Sequence, residues 1–366
     1  MEIMNRELIY DILRVTLADG KVDFYGTLQE VSAEDWQWMY DVLSLHGVAP
    51  LVGDAITKLP EEMRPPKTIL LKFIAAQVSC EQNYTKMGKL VANLDKFFTE
   101  RNIKCLLLKG FNIAAYYPKP YLRRFVDLDL YAPEIAAEID AAFIENGFEV
   151  EYDFYKHSHL LINGILVENH KCLLDSRGRR RQGERDDELK KIATRQLHRN
   201  EKMGLQYPIP EFSVVFNLHH ALSHFIYEGI SLKFIVDWFF FLRKEKSVVG
   251  SEKVRCLILK HNLMDFASVM TLICVKYLGL GMHEIPHYLQ AGIKSVQPSI
   301  EVKFIEDLFR PYEHPQEMNL LRKRISLVRH IMNASWKPKA FLGESAFTFV
   351  IGKIIPILLG KTYEAD

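Results

Sequence analysis

The stretch Val126-Asp127-Leu128-Asp129-Leu130-Tyr131 alternates apolar and acidic side chains, and a period of two is the pattern of a strand with one buried face. Successive side chains of a strand point to opposite faces. Leu128 and Leu130 therefore turn toward a core, while Asp127 and Asp129 share the other face. Two like charges held side by side repel unless something positive lies between them. A divalent cation meets that need most simply, and hard carboxylate oxygens suit Mg²⁺ or Mn²⁺. Taken alone, the pattern arises by chance in a long chain, and two solvated acids on a half-exposed strand would also produce it.

The neighbouring segments narrow the choice. Upstream, Cys105-Leu106-Leu107-Leu108-Lys109-Gly110 reads as a buried strand ending in Lys-Gly. Phe111 to Tyr117 allows a helical turn or two, and Tyr117-Pro118-Lys119-Pro120-Tyr121-Leu122-Arg123-Arg124 leads into the Asp pair. Downstream, Gly164 to Leu173 reads as a further strand, in which Glu168, His170 and Cys172 share a face. Glu168 is a candidate third carboxylate.

Strand, Gly, helix, strand with Asp-x-Asp and a later strand with one acid resembles the nucleotidyltransferase superfamily related to DNA polymerase beta. More closely, Lys109-Gly110, the Tyr-Pro segment, Arg123 four residues before Asp127, Asp127-Leu128-Asp129 and the pair Glu168 and His170 resemble the family labelled uncharacterised nucleotidyltransferase. Leu218, His220, Ala221 and His224, and the stretch Leu232 to Trp238, are similar to its helical tail. The superfamily's usual Gly-Gly or Gly-Ser after the first strand is Lys109-Gly110-Phe111 here. The resemblance implies Mg²⁺-dependent transfer of a nucleotidyl group from an NTP to an acceptor hydroxyl, through attack at the α-phosphate. It assigns Asp127, Asp129 and Glu168 to two Mg²⁺ (or Mn²⁺) ions, and Lys109, Gly110 and Arg123 to the nucleotide. His170, His220 and His224 go to the acceptor side. Each has a plainer reading: a turn glycine at Gly110, salt bridges to the acidic cluster at Lys109 and Arg123, and packed histidines. His220 and His224 lie four apart on a helix but form no His-Glu-x-x-His, so a zincin is not supported.

Organisation agrees with an α+β fold: a small mixed nucleotidyltransferase-like sheet flanked by N-terminal helices and a C-terminal helical domain. Residues 1–101 read helical, with a capping start at Ser32-Ala33-Glu34-Asp35 and a long helix from Lys67 to Arg101. Its stripe of Leu70, Phe73, Ala76, Cys80, Tyr84, Met87, Val91, Leu94 and Phe98 recurs at three- and four-residue steps and braces the sheet. Residues 102–176 form the α/β core, with a helix over Glu134 to Asn146, strands over Phe148 to Phe154 and His157 to Ile162, and a hairpin at Asn163-Gly164. Residues 177–209 connect. Arg177 to Arg195 holds eight basic and four acidic residues, and reads as a solvated loop running into a helix, or as an arm toward a phosphate-bearing ligand. Residues 210–366 are helical, with breaks near Gly250, Gly281, Pro298 and Pro315.

Composition excludes some partners. Lys+Arg is 47 against Asp+Glu 46, so no global charge favours nucleic acid. Five scattered cysteines make no disulfide framework and fit a reducing, cytoplasmic setting. No segment is long enough to span a bilayer, and Phe347 to Leu359, interrupted by Gly352, Lys353 and Pro356, reads as a packed helix. The expected partners are a nucleotide and an unknown acceptor. The rivals are a non-catalytic nucleotide-binding module on the same fold and a protein-interaction module.

Overall fold

A computed structural model describes residues 2–18, 28, 30–132, 134–152, 156–174, 180–195, 197–199, 205–310 and 332–345. The segment Phe347 to Leu359 and the expected break near Pro315 lie outside them. The chain opens with helices α1 (Glu2–Leu17), α2 (Ala33–Leu45), α3 (Ala49–Ile56) and α4 (Lys67–Glu100). The Ser32 side chain accepts the Asp35 N–H at 3.1 Å and caps α2, satisfying a donor the helix cannot. At the start of α4 the Ile69 and Leu70 N–H groups bond the Pro66 carbonyl at 2.9 and 3.0 Å. The apolar stripe of α4 then serves two cores. Ile69 and Phe73 pack among the helices, while Met87, Leu90, Val91, Leu94 and Phe98 pack under the sheet.

The sheet contains β1 (Leu106–Leu107), β2 (Asp127–Tyr131), β3 (His157–Ile162), β4 (Ile165–His170), β5 (Leu197–Arg199) and β6 (Gln206–Pro208), in the order β3-β4-β2-β1-β6-β5. Helices α5 (Phe111–Ala114), α6 (Ala136–Glu145) and α7 (Arg180–Arg195) lie between strands in the chain. The β3–β4 hairpin turns at Asn163 (φ 53°) and Gly164 (φ 71°), the two positive-φ positions of a type I′ turn. β2 pairs β4 in parallel and β1 antiparallel. Leu128, Leu130, Leu160, Ile162, Ile165 and Val167 bury one face against α4 and α6. The other face carries the acids.

One expected strand is largely absent. Among the described residues of Phe148 to Phe154, only Glu151 bridges, to His159. The Phe148 N–H instead bonds back to Phe143 O at 3.1 Å. That bond closes the end of α6 and uses a donor that a strand would need. Residues 153–155 are outside the described set.

Helices α8 (Pro210–Tyr227), α9 (Leu232–Lys244), α10 (Lys246–Val249), α11 (Glu252–Lys260), α12 (Met264–Lys276), α13 (His287–Ser295) and α14 (Pro298–Leu308) complete the fold with the short helix Trp336–Phe341. They share one apolar core with α1 to α3; the Tyr10 and Tyr277 rings, for example, lie 4.6 Å apart. Among the described residues no single helix is long and apolar enough to cross a membrane. Only α11 and α12 together pass that test, bent by 117°, and both bury side chains in the protein. The five cysteines are free thiols.

Burial holds a set of histidines neutral. His46, which accepts the Leu232 N–H at 3.1 Å, is pushed down to about 4, as are His157 and His261. His219 and His220 are also held well below the ordinary value. A folded-state value below the unfolded one means the unfolded chain binds more protons between the two. Stability is therefore fully present above about pH 6.5 and drains as pH falls toward 4, by about 1.4 kcal/mol per pH unit per histidine. The urea midpoint should fall steeply between pH 6.5 and 5. His46→Asn, which keeps an acceptor for Leu232, should flatten that slope; an unchanged slope would remove His46 from the account.

Candidate active site

The parallel register of β2 and β4 sets Asp129 beside Glu168 and Tyr131 beside His170. The antiparallel register of β3 and β4 adds His157 beside His170. Period two then puts Asp127, Asp129, Glu168, His170 and His157 on one face, and all five line a cavity of about 1040 Å³. One ligand atom from each of Asp129, Glu168 and His170 falls within 4.8 Å of the others. The sequence placed three carboxylates there. Asp127 shares the face and the cavity, but His170 takes its place in the tight cluster.

Asp129 is the hub of this cluster and is 1% exposed. The Lys109 ammonium approaches its Oδ1 to 2.6 Å and His170 Nε2 to 3.0 Å. His170 Nε2 also lies 3.5 Å from Glu168 Oε2, and His157 Nε2 lies 3.8 Å from the same oxygen. Burial alone would pull the Lys109 ammonium down, yet Asp129, then Asp127 and Glu168, hold it above its usual value. Burial likewise opposes charge on Asp129 and Glu168. Lys109 and then His170 keep the Asp129 carboxyl below its usual range. The His170 hydrogen bond and the Lys109 charge bring Glu168 down to about 2. Burial disfavours charged His170, but hydrogen bonds to Asp129 and Glu168 raise it.

These residues fit a divalent ion on one concrete ground. Asp129 Oδ2 is buried and has no hydrogen-bond partner among the described residues, a costly state for a carboxylate oxygen inside a protein. Asp129, Glu168 and Asp127 supply hard oxygen donors, the kind that Mg²⁺ and Mn²⁺ take.

Gly110 has φ 63° and ψ −101°, and a Cβ there would meet the Phe125 ring at 3.3 Å. Only glycine fits that backbone without strain. α5 is a single turn, and its Asn112 N–H bonds Lys109 O. Arg123 lines the cavity as well, but its guanidinium has a protein partner. Its Nε and Nη2 donate to Asp237 Oδ1 and Oδ2 at 2.7 and 2.8 Å, and its Nη1 reaches Gly110 O at 3.4 Å. At 5% exposure the fork is occupied by a carboxylate rather than open to phosphate. It holds β2, the glycine and α9 together. Tyr117 adds a hydrogen bond from its hydroxyl to Asp237 at 2.7 Å.

His220 and His224 both line the cavity, with ring centroids 4.5 Å apart. Burial and then the Lys109 charge hold His220 neutral. His224 Nδ1 pairs with Glu228 at 2.7 Å.

The sequence reading took in Lys233 and Asp237 only as part of the tail-like stretch Leu232 to Trp238 and gave neither a role. Lys233 lines the cavity, and among the described residues no carboxylate lies within ion-pair reach of it. Burial and then Arg123 lower it to about 8, against the pull of Asp237 and Asp127. The signal for both was present: Asp237 is the sole acid in the apolar helix α9, and Lys233 sits four residues before it, on the same face. A lone acid in such a helix calls for a buried partner. Arg181 and Arg185 of α7 also line the cavity. The remainder of the basic run, residues 177 to 179, lies outside the described residues.

With this geometry in place, comparison with known proteins is informative. The profile of a family described as uncharacterised nucleotidyltransferase matches residues 32–279, more than half of the chain and the whole of the site above. No curated protein matches. Among solved structures, an antigenic nucleotidyltransferase-like protein from Paracoccidioides brasiliensis is 18% identical, over 54% of this chain and 93% of its own, with a TM-score of 0.32. A likeness that loose carries no argument.

Proposed function

The chain belongs to the uncharacterised nucleotidyltransferase family, and on that premise we propose that it moves a nucleotidyl group from an NTP to an acceptor hydroxyl, with Mg²⁺ or Mn²⁺ as its metal. The observation that carries this reading is the Asp129–Glu168 register, which sets two carboxylates side by side on a cavity wall with Asp129 Oδ2 unpartnered. Asp127, Asp129 and Glu168 would hold the metal, which supplies a lowered pKa at the acceptor hydroxyl and neutralisation of charge on the pyrophosphate. In the transfer the acceptor oxygen bonds to the α-phosphorus as the bond to the bridging oxygen of pyrophosphate breaks. Pyrophosphate leaves with the electron pair. The hydroxyl proton passes to solvent water.

The chain's own part is to position groups. Gly110 lets the backbone pass close beneath the phosphates, and Arg123 fixes that glycine from behind rather than touching the nucleotide. Lys109 keeps Asp129 ionised. Lys233, an ammonium in the cavity without a carboxylate of its own, is the group we assign to the triphosphate.

One observation favours the non-catalytic rival: Lys109 already supplies a positive charge 2.6 Å from Asp129, where a bound cation would act. Release of pyrophosphate from Mg²⁺ and NTP separates the two. The enzyme requires it, and a module that only binds shows nucleotide- and Mg²⁺-dependent thermal stabilisation without it.

Lys233→Met should weaken NTP binding by about tenfold or more, the scale of one charge-assisted hydrogen bond. Stability without ligand should hold or rise, because a half-buried charge is removed. A large loss of ligand-free stability with unchanged NTP affinity would make Lys233 structural.

A further inference from the structure

The cavity has a second group of cations, apart from those beside the carboxylates. Arg181 and Arg185 are four residues apart on α7, hence on one face of it, and both line the cavity. Among the described residues neither has a carboxylate within ion-pair reach. Arg185 reaches only the neighbouring Gln182 Oε1, at 3.5 Å. Burial, then the Arg181 charge, disfavour the Arg185 guanidinium. Arg181 is exposed and Arg185 half-buried, so the pair presents two neighbouring cations at the cavity wall without a carboxylate partner among the described residues.

The surroundings of Arg185 do not supply the missing charge. His219 Nε2 lies 2.9 Å from His261 Nδ1, and His261 Nε2 lies 3.2 Å from Glu188 Oε2. Both imidazoles are neutral, and the Arg185 charge helps keep them so. The other oxygen of Glu188 accepts from Lys260 at 2.6 Å. The position of α7 is fixed independently, because Asp186 Oδ1 accepts the Leu173 and Leu174 N–H groups, both at 2.7 Å. Those residues follow directly on the β4 strand that carries Glu168 and His170. The Arg pair thus belongs to the β4 end of the site. Lys233 belongs to the other end, where the charges acting on it are Arg123, Asp237, Asp127 and Lys109.

A triphosphate gripped at Gly110 and Lys233 leaves Arg181 and Arg185 for a different anion. We propose that the acceptor is a small phosphomonoester bearing a hydroxyl, its phosphate held by Arg181 and Arg185 while its hydroxyl faces the α-phosphate. Two guanidiniums match the charge of one phosphate dianion, and their planar forks match its oxygens. This inference rests on the nucleotidyltransferase reading for the reaction, though not for the anion site itself.

The test titrates inorganic phosphate and glycerol 3-phosphate, with glycerol and glycerate as controls, into the full chain saturated with Mg²⁺ and an α,β-methylene NTP. The expected result is saturable binding of both phosphates and none of glycerol. In R181Q/R185Q that binding should weaken by about tenfold or more, with the affinity for the analogue unchanged and the melting temperature level or higher. R185Q alone should give an intermediate loss. Three outcomes would overturn the proposal: no saturable phosphate binding, equal phosphate binding in the variant, or competition between phosphate and the analogue. Glycerate binding as tightly as glycerol 3-phosphate would overturn the phosphate assignment. If the analogue itself fails to bind, the transferase reading falls. The same titration without the analogue then still decides the anion site, by whether R181Q/R185Q abolishes phosphate binding.

Discussion

Arg123→Met should lower the unfolding free energy of the ligand-free protein by about 3–5 kcal/mol, the range for breaking a buried ion pair from one side. The loss comes from what is left behind. Asp237 is 8% exposed and accepts from Arg123 at both oxygens, so without the guanidinium a carboxylate remains buried with, among the described residues, only the Tyr117 hydroxyl to satisfy it. Arg123→Lys keeps a charge but loses the fork, and should fall between wild type and Arg123→Met. Removing both partners, as Arg123→Met with Asp237→Leu, should recover much of the loss, because no buried charge is then stranded. Urea unfolding of the three variants measures this directly. A phosphate-binding Arg123 would behave differently: ligand-free stability would stay level while nucleotide affinity dropped. That result would return Arg123 to the nucleotide and make the Asp237 contact incidental.

The contrast marks what the sequence could and could not carry. Period-two alternation and turn chemistry are local, so the Asp127–Asp129 strand, the Glu168 strand and the Asn163-Gly164 hairpin were all legible. So was the stripe of α4, because helical spacing needs no knowledge of what covers it. The partners of the charges were not legible. Asp237 is 114 residues from Arg123, and which helix lays its one acid against the sheet is decided by tertiary packing. The same distance hid Lys233. The basic run of residues 177 to 195 offered eight cations and no local reason to choose among them. The rotation of α7, fixed through Asp186 and the Leu173 and Leu174 amides, turns Arg181 and Arg185 toward the cavity. The expected strand over Phe148 to Phe154 failed for the reverse reason: propensity favoured it, but the close of α6 had already used the Phe148 N–H.

The two aspartates that look alike in the sequence should part company when mutated. Repulsion between paired acids predicts that removing either one leaves the ligand-free protein level or more stable. The structure retains that expectation for Asp127 and reverses it for Asp129. Asp127 is only half-buried and makes no ion pair with any described residue, so Asp127→Asn should change ligand-free stability by no more than about 0.5 kcal/mol. Asp129 is fully buried and is, among the described residues, the one carboxylate within ion-pair reach of the Lys109 ammonium, at 2.6 Å. Asp129→Asn strands that ammonium in the protein, and should cost about 3–5 kcal/mol. Asp129→Asn with Lys109→Met should recover part of it. Both single variants should abolish pyrophosphate release if the proposed chemistry is right, because each removes a metal-holding oxygen donor. Activity alone therefore cannot distinguish the two acids, and ligand-free unfolding can. Equal stability of Asp127→Asn and Asp129→Asn would mean that Lys109 does not depend on Asp129. The lysine would then be free to serve the nucleotide directly, as the resemblance first suggested.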